Sequence, residues 1–144
     1  MKAILSLILI MWQFWFYAQQ MQIKSDQGQL ANIENILQQY IQIPSISGSE
    51  KEAGQFLKRV CENNNLFITD FGLEEGQFNF AASVFPLTSN KPNIIFLNHI
   101  DVVPESKNGK YGAYSGEIKE GVIYGRGSID NKGAAMMQLY GIQK

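Results

Sequence analysis

The run Ile94-Ile95-Phe96-Leu97, set between Pro92 and the chain's one histidine, His99, constrains the fold more than any other segment. Its apolar residues do not alternate with polar ones. A strand with one wet face reads apolar-polar with period two, whereas an unbroken apolar strand fits burial on both faces, as in a helix-flanked sheet. The segments around it give an α/β order. Leu30, Ile33, Leu37, Tyr40 and Ile41 recur at helical spacing, with Asp26 upstream as a cap and Pro44 as a stop. Ile43 to Gly48 reads as a loop. Ser49 and Glu52 then offer a capping box, and Ala53, Phe56, Leu57, Val60 and Cys61 give the next helix an apolar face that ends at Asn63-Asn64-Asn65. Leu66-Phe67-Ile68 and Phe80 to Phe85 read as strands, the second closed by Pro86. From Val103 the chain is polar and glycine-rich through Gly121; Val122-Ile123-Tyr124 reads as a short strand, and a helix starts at Lys132.

The first 20 residues differ in kind. Lys2 precedes the apolar stretch Ala3 to Trp12, and Gln13 to Gln20 forms a more polar exit. A positive start, an apolar segment and a polar exit read as an export signal, or as an N-terminal anchor where it is retained, since Phe16 sits where a small residue is preferred for cleavage after Ala18. The expected location is therefore secreted or periplasmic, with membrane anchoring by an uncleaved segment as the variant. Residues 25–144 form the expected globular part.

Charge and cysteine content narrow the function classes. The formal charge is -1, with 12 scattered Lys and Arg, so no basic stripe marks a nucleic-acid partner. One cysteine, Cys61, excludes an intrachain disulfide framework and reads as an inert core thiol.

Chemistry concentrates after the apolar run. His99 is followed at two residues by Asp101, and period-two spacing on a strand end places both on one side. An imidazole binds zinc through one nitrogen, and the other needs an acceptor that fixes the tautomer, which Asp101 can supply. Asp130 follows Gly125-Arg126-Gly127 and precedes a helix start, and its two oxygens can bridge two cations. A lone histidine at a strand end is also an ordinary structural residue, so the combination carries the reading. Gly125 and Gly127 do not make a nucleotide loop: the third glycine of a dinucleotide fingerprint and the Gly-Lys-Ser/Thr of a phosphate loop are absent. They read as a tight turn that lets Asp130 approach its ion.

The segments Asn98 to Pro104 and Tyr124 to Gly133, joined by Tyr114-Ser115-Gly116-Glu117-Ile118, closely resemble the M20 family of co-catalytic zinc peptidases and deacylases, from about Leu30 onward. The family includes carboxypeptidase, dipeptidase, acetylornithine deacetylase and succinyl-diaminopimelate desuccinylase types. The resemblance implies that His99 ligates one metal, that Asp101 orients it, and that Asp130 bridges two zinc ions and precedes a cis peptide at Asn131. It implies the N-terminal part of a catalytic domain with a helix-flanked, mostly parallel core sheet, and a smaller inserted domain for homodimerisation or lid closure. Family members carry a Glu-Glu pair, a further acidic ligand and a distal histidine later in the chain. Their positions would fall beyond Lys144, so residues 25–144 are expected to be an incomplete catalytic domain, inactive alone. Tyr111 and Ala113-Tyr114 stand where relatives often have Trp and Pro-Phe, which leaves substrate preference open.

The expected function is thus hydrolysis of an amide or peptide bond by a two-zinc peptidase when full length. An N-acyl amino acid deacylase of the same family, or a peptide-binding module without turnover, are the alternatives.

Overall fold

A computed structural model describes residues 2–71, 78–106 and 109–142, without the side chains of residues 2–9, 23, 25 and 26. Two compact units are distinguished, Met1–Asn35 and Ile36–Lys144. The described part of the first is helical throughout and belongs to α1, Lys2–Gln42. Its large apolar residues from Ile10 to Tyr17 are exposed, with the rings of Trp12 and Trp15 tilted at 6.4 Å.

Two expectations for this region are corrected. No helix starts at Asp26, because the backbone is already helical there; its side chain lies outside the described residues. Among the described residues no helix is long and apolar enough to cross a membrane. The localisation read from residues 1–20, secreted or periplasmic with an optional membrane anchor, is corrected accordingly: this finding argues against membrane anchoring. The apolar stretch runs into Gln13, Gln19, Gln20 and Gln22 before a span is complete.

The second unit begins with the last turns of α1, where Tyr40 and Ile41 are fully buried. Pro44 cannot continue the helix, and α1 stops at Gln42. α2, Lys51–Asn63, buries Ala53, Gly54, Val60 and Cys61. Phe56 stacks on Tyr40 with ring centroids 5.6 Å apart. Its cap is Glu50 without a side-chain bond, so the expected Ser49–Glu52 box does not form; the Glu50 carboxylate instead accepts from the Gly48 N–H at 2.6 Å. α2 packs against a hairpin of β1, Phe67–Asp70, and β2, Phe80–Ser83, paired antiparallel with Phe67 opposite Ser83. A second hairpin joins β3, Glu117–Lys119, to β4, Val122–Tyr124, through Glu120 and Gly121, both at positive φ. A two-residue turn of that hand matches the twist of the strands it links. α3, Lys132–Gly141, buries Ala135, Met136, Leu139 and Tyr140 on one face.

The expected helix-flanked, mostly parallel core sheet is not seen among the described residues. The described strands form two small antiparallel sheets of two strands each. Strands joined by short connections close on each other as hairpins, whereas a parallel pair needs a long crossover. The one parallel pairing among the described residues is an isolated bridge between Ile46 and Val102. The run that promised a covered strand belongs to no ladder, and Ile94, Ile95 and Leu97 are 86%, 84% and 89% exposed.

Candidate functional site

His99, Asp101 and Asp130 converge, although the first two lie outside any strand. His99 Nδ1 lies 3.1 Å from Asp101 Oδ1 and 2.9 Å from the Asp101 carbonyl oxygen. His99 Nε2 lies 2.9 Å from Asp130 Oδ1. The imidazole therefore stands between two carboxylates. The Asp130 hydrogen bond most, and then the contacts and charge of Asp101, hold its pKa above the ordinary histidine value against the opposing effect of burial. The Asp101 carboxyl is held below its usual range, chiefly by a hydrogen bond from Ser47 Oγ to Oδ2 at 2.5 Å.

The chain around each group explains its placement. The segment Ile100–Val102 is splinted by the loop after α1: Val102 N–H donates to the Ser45 carbonyl and Ser45 Oγ donates to the Ile100 carbonyl, both at 2.8 Å. On the other side, the turn before α3 is seated on the end of α1. Lys132 is fully buried and its Nζ donates to the carbonyls of Tyr40 at 2.9 Å and Ile43 at 2.7 Å. Carbonyls at a helix C-terminus lack intrahelical donors, and a cation there is favoured by the helix dipole. No carboxylate offsets the charge among the described contacts, and burial lowers the Lys132 pKa to about 8. Gly127, at φ +85°, makes room for this side chain: a Cβ there would come within 2.9 Å of the Lys132 stem. The Asp130–Asn131 peptide is cis, as the resemblance implies, and Asn131 stands at the α3 N-cap without a side-chain cap bond. Gly125 packs directly on Ile41.

His99, Asp101, Gly125, Gly127 and Asp130 line one open depression of about 260 Å³. The side chains of His99 and Asp130 are 48% and 87% exposed, so solute reaches them. Two ligands at zinc distances on a tetrahedral ion stand about 3.3 Å apart, so His99 Nε2 and Asp130 Oδ1 would need to part by only a few tenths of an ångström to admit one. The donors, an imidazole nitrogen and a carboxylate oxygen, are of types that zinc takes. Among the described residues no group of three or more His, Cys, Asp or Glu is placed to hold a metal.

Two residues at this site escape a reading along the sequence. Ser47 sits in a polar loop 54 residues from Asp101, and nothing local marks it. Lys132 did carry a signal, since it shares the helical spacing of Ala135, Met136 and Leu139 and so lies on the buried face.

Comparison with known proteins agrees with the motif reading. The sequence profile of Peptidase family M20/M25/M40 matches residues 95–144. A probable carboxypeptidase of Emericella nidulans is 34% identical over 101 residues, which is 69% of this chain and 23% of that protein. A succinyl-diaminopimelate desuccinylase of Wigglesworthia glossinidia brevipalpis is 28% identical over 115 residues, 78% of this chain and 29% of its own. An N-fatty-acyl-amino acid synthase/hydrolase of Bos taurus is 33% identical over 129 residues, 81% of this chain and 25% of its own. Over part of its length the chain is thus homologous to M20 peptidase family members at moderate identity, and it spans about a quarter of the length of these relatives.

Proposed function

We propose that this chain carries part of the active site of an M20-type zinc peptidase or deacylase, in which the whole protein hydrolyses an amide bond of a peptide or an N-acyl amino acid. The observation that carries the reading is the contact of His99 Nε2 with Asp130 Oδ1 at 2.9 Å, with Nδ1 engaged by Asp101. Names of the relatives support the substrate class: one is a carboxypeptidase, one a desuccinylase and one acts on fatty-acyl amino acids.

His99 and Asp130 would hold zinc. When bound, such ions polarise an amide carbonyl and lower the pKa of water from about 15.7 toward 7. This chain's residues do the positioning. Asp101, whose Oδ1 lies 3.1 Å from Nδ1, would accept the Nδ1 proton when a metal takes Nε2. The Gly125–Gly127 turn, seated on α1 through Lys132, sets the height of Asp130. A base that moves the proton from water is expected from elsewhere in the whole protein.

The test uses the full-length gene product loaded with zinc. Wild-type protein should bind two zinc ions and hydrolyse members of a panel of dipeptides, longer peptides and N-acyl amino acids. Asp130→Ala should lose zinc and at least about a hundredfold in kcat/KM, in line with loss of a direct ligand. Unchanged stoichiometry and turnover in Asp130→Ala would refute the assignment. A preference within the panel separates peptidase from deacylase.

A further inference from the structure

We propose that the side-chain hydrogen bond between Asn98 and Gln138 sets the separation of His99 from Asp130. Asn98 Nδ2 donates to Gln138 Oε1 at 2.6 Å, between residues 40 apart in the chain. Asn98 immediately precedes His99, and Gln138 lies on α3, roughly two helical turns beyond Asp130. The bond therefore ties together the same two segments that meet as His99 Nε2 and Asp130 Oδ1 at 2.9 Å.

Each segment has its own support, and this brace joins them. After His99 the chain is held by the loop that follows α1, through Ser45 to Ile100 and Val102. Before His99, from Asn93 to Asn98, the bond to Gln138 is the only hydrogen bond among the described residues. α3 is a firm anchor, because Ala135, Met136, Leu139 and Tyr140 are buried along it. Without the brace, the approach to His99 is free to swing, while the turn carrying Asp130 stays seated on α1 through Lys132.

The pair is poorly explained as a contribution to stability. Asn98 Oδ1 is buried and has no partner among the described residues. Turning both amides over would only exchange that unmet acceptor for an unmet donor. An unmet buried polar atom costs more than a neutral hydrogen bond returns on average, whereas two apolar side chains of the same shape avoid that cost. What apolar contact does not supply is a fixed length and direction, so the two segments could slide. Asn98 and Gln138 are thus positioning residues that act through the segment of His99 and through α3. The consequence for a cation between His99 and Asp130 rests on the function proposed above; the spacing of the two side chains does not.

The experiment compares the metal-free chain with two variants by nuclear Overhauser spectroscopy and urea unfolding. The single histidine makes its ring signals unambiguous, and cross-peaks from that ring to the Asp130 methylene report the separation. Asn98→Leu combined with Gln138→Met removes both polar groups at similar shape, and Gln138→Glu keeps an acceptor for Asn98. The apolar pair should lose those cross-peaks while its urea midpoint equals that of wild type or rises; Gln138→Glu should keep them. Cross-peaks that persist in the apolar pair overturn the proposal, and so does their loss in Gln138→Glu. A lower urea midpoint or a lost cooperative transition in the apolar pair overturns it too, since the bond would then hold the fold and not the site. Zinc titration of the full-length gene product separates the two readings. The apolar pair should bind zinc about tenfold more weakly than wild type, the effect of losing support around a ligand. Equal affinity would end the brace's role at a metal. Failure of the wild type to bind zinc sinks the metal reading and leaves the cross-peak comparison standing.

Discussion

Cys61 lies on the buried face of α2 at 4% exposure, and burial, with Glu62 second, pushes its thiol up to about 11. Only the thiolate is nucleophilic, so at pH 8 folded Cys61 should react with an aromatic disulfide reagent about a hundredfold more slowly than in denaturant. Rapid labelling in native buffer would contradict the burial. The same shift has a sign in stability. An acid whose folded pKa is raised contributes stability below its ordinary value, near 9 here, and loses it as pH climbs toward 11. Stability should therefore fall over that interval, and Cys61→Ala should remove this part of the slope. At His99 the pKa is also raised, first by Asp130. For this base the linked stability is present below the ordinary histidine value and fades as pH rises through the raised one; with the ring half exposed, the effect is small. Asp130→Asn should lower the His99 midpoint in a proton NMR titration. A midpoint that stays in place would show that the contact does not persist in solution.

At the scale of elements, two glycines in helices give opposite expectations. Ala is favoured over Gly inside a helix by about 1 kcal/mol. At Gly28 in α1 nothing lies within 4 Å of a Cβ, so Gly28→Ala should raise helix content and stability by about 0.5–1 kcal/mol. At Gly133 in α3 a Cβ would run into the carbonyl oxygen of Ser128. That atom is backbone in the turn leading to Asp130 and cannot swing away. The clash exceeds the propensity gain, and Gly133→Ala should lose about 2 kcal/mol in urea unfolding, with shifted His99 signals. If Gly133→Ala leaves the protein as stable as wild type, the turn yields freely. The helices were legible because their apolar spacing is local: Ala53, Val60 and Cys61 in α2, and Ala135, Met136 and Leu139 in α3, share a face within a few turns. His99, Asp101 and Asp130 were legible because two short segments hold all three. What sequence reading missed depends on contacts across the fold. Ser47 meets Asp101 across 54 residues, and whether an apolar run is covered depends on which strands pair with it.

For the whole molecule, that run decides the solution behaviour to expect. Ile94, Ile95 and Leu97 are nearly as exposed as in an unfolded chain, and the segment belongs to no ladder among the described residues. Unpaired backbone beside β-branched and aromatic side chains, with no charge from Asn93 to Leu97, is a template for another chain. The helix from Ile10 to Tyr17 also exposes large apolar residues. The two sources differ in what they build: a helix with satisfied backbone associates through side chains alone, while an unpaired run adds backbone hydrogen bonds and so gains β-structure on association. The chain should therefore associate with rising concentration in sedimentation velocity, and the associated material should show infrared amide absorption of intermolecular strands. Ile95→Lys places a charge in the centre of the run and should suppress both signals, whereas Trp15→Lys should leave the strand signal in place. If Trp15→Lys abolishes association and Ile95→Lys leaves it intact, the helix is the source and the exposed run is not a pairing surface.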